Sequence, residues 1–390
     1  MNEIRFYPTN NLRGLAMLLA AIGSVGFLVG VLIVPDSTWA HLLLLGFFGV
    51  GLGLAGALFI ALQYVTGAGW SVALRRVPEA MTYLLPIGGV LILLALTAYP
   101  ALYPWTAEDY HPHSAFKHAW LNRPFFLIRA LIYLALWMGL AFMMVRASRR
   151  QDVDGSIVHT QCNARWSPLF LVVFGVTIWL ASYDWIMSRE PEWLSTIFGV
   201  YNFAGLFTAG LAFMILGVIW LQHEGSYRKV LSEDHLHDLG KLLFAMSIFW
   251  AYIWYCQYML IWYVNNPEET PYYLRRLEGV YEPLMYASVF LNFVVPFFAL
   301  MTRASKRSAK VLVNVCIAML VGRWLDLYLM ILPADMTFVS IITALCMTVG
   351  AIGVYFLGFA YGFAQAAPVP IHDPYLVESL PHDAHAAGRV

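Results

Sequence analysis

The chain has 390 residues, 61% hydrophobic and 12% charged, with 23 Lys plus Arg against 23 Asp plus Glu. A formal charge of zero removes the attraction on which nucleic-acid binding rests, and so much apolar sequence leaves no room for a sizeable soluble catalytic domain. Membrane lipid is the partner such a composition demands.

In chain order the apolar residues form ten runs: 12–34, 41–65, 80–99, 124–145, 168–187, 196–221, 242–264, 283–301, 311–332 and 338–363. Each is about 20 residues or longer, enough to cross a hydrocarbon core of about 30 Å as a helix. An all-α polytopic membrane protein with about ten transmembrane helices is expected over residues 1–364, followed by a tail at 365–390. The first run is longer than a signal-peptide core and no A-x-A-like cleavage site follows it, so it reads as a retained helix. Helix two carries Gly49 and Gly53 and helix ten carries Gly358 and Gly362, a small-xxx-small spacing that lets backbones approach closely in lipid. The tail, rich in proline and histidine and poor in apolar residues, is expected to order only against another subunit.

Cysteine and histidine argue against a redox cofactor in this chain. Cys162, Cys256, Cys316 and Cys346 stand singly, without the paired spacing of an iron–sulfur or c-type haem site. Every histidine falls in a loop, in the tail or at a helix end, whereas a b-type haem needs axial ligands well inside the membrane.

Orientation follows from counting basic residues in alternate loops. Arg5, Arg13, Arg75, Arg76, Arg146, Arg149, Arg150, Arg165, Arg228, Lys229, Lys241, Arg303, Lys306, Arg307, Lys310 and Arg389 share one side; Lys117, Arg123, Arg189, Arg275 and Arg276 share the other. Both termini are therefore expected in the cytoplasm, with 99–123, 188–195 and 265–282 facing outward.

Ionisable groups inside a bilayer default to a functional reading because each costs several kcal/mol unless paired or wetted. The outer third of the bundle would hold Arg129 on helix four, Tyr183 and Asp184 on helix five, Asn202 on helix six, and Arg323 with Asp326 on helix nine. Helices five and nine run in one direction, so helices two to five (about 41–187) and six to nine (about 196–332) read as repeated four-helix bundles, with two extra helices. The acids suit proton exchange or a quinone headgroup, and the Arg323–Asp326 spacing equally suits a structural ion pair. Inner polar residues Gln63, Tyr64, Glu79, Lys241, Asn292 and Asn314 read first as interhelical hydrogen bonds or interfacial anchors.

The stretch from 179 to 205, WLASYDWIMSREPEWLSTIFGVYNFAG, resembles the NrfD-like (polysulfide-reductase membrane-subunit) family, specifically the paired ten-helix membrane subunits of alternative complex III. The modest length and short tail favour the smaller of the pair. The resemblance implies a quinol:cytochrome c or quinol:oxidase electron-transfer complex in a bacterial inner membrane. Its partners would be a sister quinol-binding subunit, an iron–sulfur protein, a multihaem cytochrome c and a terminal oxidase. Carried over, Asp184 takes the acidic helix-five position and Arg323 with Asp326 the charged helix-nine pair, while His41, His111, His113 and His118 could approach only from the outer surface. Haem c and iron–sulfur clusters would belong to partners, and this chain would support proton translocation or its sister. A proton-coupled secondary transporter and a pure scaffold are the competing classes. Interrupted short helices, typical of the first, are not evident in the two halves.

Overall fold

The computed structural model describes residues 9–111, 114–223, 230–331 and 337–380. Arg5, His113, Arg228, Lys229, Leu332, His382, His385 and Arg389, used above, lie outside the described residues. Ten helices are long and apolar enough to span a membrane: α1 Asn10–Ile33, α2 Pro35–Thr66, α3 Val72–Ala98, α4 Arg123–Asp154, α5 Val158–Arg189, α6 Phe198–His223, α7 Glu233–Val264, α8 Tyr281–Ala299, α9 Ala309–Ile331 and α10 Phe338–Phe363. No strand occurs among the described residues, and the protein is an all-α polytopic membrane protein.

Local chemistry sets the ends. Pro35 at the first helical position and Asp36 beside it open α2, and Gly67 in the left-handed region (φ 61°) closes it. Asn122 caps α4 by accepting the Phe125 N–H, and Gly155 (φ 66°) ends it. Pro86 cannot donate a backbone hydrogen bond, and just before it α3 breaks into two helical pieces, Arg76–Met81 and Leu84–Ala98. In α8, Pro296 removes the donor that the Asn292 carbonyl would meet, and the residues around Asn292 widen into a π-segment, Phe290–Val294.

Packing closes two rings of four. Helices α2, α3, α4 and α5 contact one another in sequence, with α2 also against α5; α6, α7, α8 and α9 do the same, with α6 against α9. The rings meet where α2 and α5 pack on α6 and α2 packs on α9, while α1 and α10 pair along the flank of the first ring. Helix α2 is the axis: 94% of its apolar stretch is buried against 22% for α1, which accounts for its glycines on several faces. A Cβ on Gly49 would lie 2.7 Å from the Tyr355 hydroxyl of α10, and one on Gly53 2.9 Å from the Leu85 backbone nitrogen of α3.

The tail departs from expectation. Residues 365–380 pack on their own chain, because the first piece of α3 carries buried charges that need partners. Arg75 pairs with Asp373 and donates to the Tyr64 hydroxyl at 2.9 Å; Arg76 Nε donates to the Ala367 carbonyl at 3.1 Å. Ser379 accepts the Ala73 N–H at 2.9 Å and donates to the Trp70 carbonyl at 2.6 Å. Glu79, wholly buried, is no mere anchor: it pairs with Arg76, accepts from Ser148 and lies 3.9 Å from Arg149. The face carrying this tail is called the tail face below, and the one carrying 99–122, 188–197 and 265–280 the loop face.

Candidate functional site

The intramembrane charges form two separate centres near the loop face, one per ring. In the first, α5 presents Asp184 one residue before its α-helical part ends at Trp185, 1% exposed, and α4 presents Arg129 across from it. Arg129 Nε donates to Oδ2 and Nη2 to Oδ1, both at 2.8 Å, a bidentate fork. Tyr133, one turn along α4, donates to Oδ2 at 2.9 Å, and the Trp120 indole N–H donates to Oδ1 at 2.8 Å. The remaining Arg129 nitrogen Nη1 donates to the Trp120 carbonyl at 3.0 Å, and the guanidinium lies 4.1 Å from the Trp120 ring centroid and 4.4 Å from that of Phe125. Four donors fill a carboxylate's capacity, so this centre leaves no acceptor site open. Because Trp120 belongs to the connection between α3 and α4, the same contacts strap that loop to the bundle.

Tyr103, in that connection, donates to the Trp185 carbonyl at 2.9 Å, and its burial raises its pKa well above the usual phenol value. Tyr99, just beyond α3, is held as the phenol chiefly by its hydrogen bond to Asp36, which raises its pKa to about 12. Tyr183 does not join the Asp184 centre. Its hydroxyl donates to the Thr196 carbonyl at 2.9 Å, on the side of α5 where the chain turns into α6.

The second centre is built on α9. Arg323 and Asp326 pair three residues apart, as their spacing predicts, both 3% exposed. Tyr201 in the first turn of α6 donates to Asp326 Oδ1, and Asn202 accepts from Arg323 at 3.1 Å. Gly205 makes room for the guanidinium, since a Cβ there would lie 2.4 Å from Arg323 Nη1. On the far side, the α8 π-segment presses Asn292 against Gly322, where a Cβ would lie 2.8 Å from its amide nitrogen. A void of about 10 Å³, lined otherwise by apolar side chains such as Phe47, Leu206 and Leu327, touches Arg323 where α2, α6 and α9 meet. Asp326 thus faces Tyr201, Arg323 and the Trp250 indole, much as Asp184 faces Tyr133, Arg129 and Trp120, but Arg323 meets it through one nitrogen and is shared with Asn202 where Arg129 forms a fork.

Aromatic residues extend from this centre to the loop face. The Tyr201 ring is 6.4 Å from Phe198, Phe198 is 5.4 Å from Trp193, and Trp193 stacks on Tyr272 at 3.8 Å. Arg276, itself buried, lies 3.4 Å over Tyr272 and bonds Glu190 at 2.7 Å, so the REPEW segment and the 270–276 helix are clamped together. Burial raises the Tyr272 pKa to about 12.

His41 corrects the placement of histidines at helix ends. Because α2 starts at Pro35, His41 sits nearly two turns inside it, 4% exposed, with Nε2 2.9 Å from the Thr348 hydroxyl; Trp324, next to Arg323, donates to the same hydroxyl at 3.1 Å. Among the described residues no group of three or more His, Cys, Asp or Glu side chains is placed to hold a metal. Tyr133 and Tyr201 carry no charge, and a tyrosine in an apolar run looks like packing, while Trp120 lies in a connecting loop outside the runs. Comparison with family models and with curated proteins returns no match. The class defined by fold and composition is therefore a multi-pass, all-α membrane protein carrying two buried arginine–carboxylate centres.

Proposed function

We propose that this chain is a membrane subunit, without a redox cofactor of its own, of a quinol-oxidising respiratory complex in a bacterial inner membrane, with both termini cytoplasmic. The resemblance of 179–205 to the paired membrane subunits of alternative complex III supports the complex, and the looser hold of Arg323 on Asp326, through one nitrogen and shared with Asn202, supports a role in proton movement. Asp184 is saturated and acts as a structural lock. Asp326 is held by one Arg323 nitrogen, and Arg323 is shared with Asn202, so Asp326 can take up a proton, releasing Arg323 to Asn202, and return it as the ion pair re-forms. The observation that carries this reading is the Tyr201–Asp326–Arg323–Asn202 array, in which the arginine is shared between the acid and the amide.

Purification of the chain from its native membrane in mild detergent tests the proposal. Haem and iron–sulfur spectra together with quinol-driven turnover are expected in the recovered assembly. Recovery of the chain alone, with proton-coupled solute uptake on reconstitution, would replace it with the transporter reading.

A further inference from the structure

One groove belongs to neither centre. It runs between α3 and α4 toward the tail face, with a volume of about 620 Å³, inside the range of roughly 300–1,000 Å³ of sites that take small ligands. The break in α3 before Leu84 opens it: Pro86 and Leu85 form one wall, Met138, Phe142 and Val145 the other. At its polar end α4, which runs on to Asp154, adds Arg146, Arg149 and Arg150.

These arginines differ. Arg149 is committed, donating to the Tyr83 hydroxyl at 2.7 Å and to the Gly362 carbonyl at 3.0 Å. Arg146 and Arg150 are exposed, four apart on one helix face, and neither has a carboxylate partner among the described residues. Neighbouring acids are engaged elsewhere: Glu79 and Asp152 with Arg76, and Asp154 with His159. The Arg146 guanidinium lies 5.7 Å from the Phe142 ring centroid, directly above the apolar wall. The groove therefore offers an apolar slot open at the side of the bundle, capped by two uncompensated cations where the apolar run of α4 ends.

We infer that this groove binds an anionic phospholipid, with an acyl chain along Phe142 and Val145 and the phosphate between Arg146 and Arg150. A zwitterionic lipid carries its own ammonium against its phosphate and brings the two guanidinium groups no net countercharge, and an apolar protein segment would leave both charges unanswered.

The test is native mass spectrometry of the full chain, with whatever native partners remain bound, titrated with dioleoyl phosphatidylglycerol or dioleoyl phosphatidylcholine. Preferential retention of the anionic lipid is expected, and the R146A/R150A double variant should weaken that retention by about 25-fold while leaving phosphatidylcholine binding unchanged. R146K/R150K, which keeps the charge, should retain most of the preference, and circular dichroism verifies that each variant is folded. Equal retention of the two lipids, or an equal loss in Arg303→Ala away from the groove, would overturn the inference. So would glycerophosphoglycerol binding as tightly as the intact lipid, or a photo-crosslinker at Val153 that captures a partner subunit in place of lipid.

Discussion

Replacing Arg129 with leucine should destabilise the protein by about 3–5 kcal/mol, the cost of leaving a buried carboxylate without its counter-ion. Asp184 is 1% exposed and Arg129 5%, so neither charge can relax into water; the substitution removes two 2.8 Å bonds to the carboxylate, the bond to the Trp120 carbonyl and the contacts with two rings. Tyr133 and Trp120 would remain, two neutral donors facing an uncompensated charge. The size of the effect rests on burial. The exposed Lys117–Glu192 pair, 3.8 Å apart with side chains 36% and 55% exposed, should give about 0–1 kcal/mol when broken in the same way. Titration of the folded fraction in mixed micelles with increasing denaturing detergent measures both. The R129L/D184L double variant should be more stable than R129L alone, since removing both ions also removes the penalty for stranding one. If R129L costs less than 1 kcal/mol, or the double variant is as unstable as the sum of its parts, the lock assigned to Asp184 does not exist.

Other outcomes follow from the same geometry. Asp373→Ala strands the buried Arg75 and should destabilise the tail-face contacts by about 3–5 kcal/mol, detected as faster proteolysis between 365 and 380. Tyr272, with its folded pKa raised to about 12, contributes stability that is complete below the unfolded value near 10 and is lost as pH rises through 12; tyrosinate absorbance should show it titrating late, together with release of the 270–276 helix. Thiol labelling from outside sealed cells should modify a cysteine at position 107 and spare one at position 304, and the reverse pattern would invert the topology.

How much of this was legible in sequence depended on the kind of signal. Ten spans were legible because length and hydropathy are properties of each segment alone, and the Arg323–Asp326 pair because three residues is a fixed distance on a helix. Helix ends were less so: apolar counting started α2 at His41, although Pro35 followed by Asp36 is a start signal, and that slip hid a buried histidine. Arg75 and Arg76 counted correctly toward one face, but nothing local says that a basic pair flanking an apolar run will be buried and matched by Asp373 and Asp152 from distant segments. The same holds for Trp120 and Tyr133, whose roles come from where α4 and the α3–α4 connection lie against α5. The acids were placed at matching depth, but the difference in how each arginine holds its acid, on which the functional reading turns, belongs to tertiary contacts.

The central claim is tested most directly by proton release during quinol oxidation in the assembled complex carrying Asp326→Asn, a substitution that keeps shape and most hydrogen bonding but removes titration. The account predicts unchanged haem and iron–sulfur spectra, with either turnover reduced by a factor of about 10²–10⁴, the usual contribution of a positioned proton-transfer group, or fewer protons released outside per quinol oxidised. Wild-type turnover together with wild-type proton release in that variant would contradict it and leave Asp326, like Asp184, a structural ion.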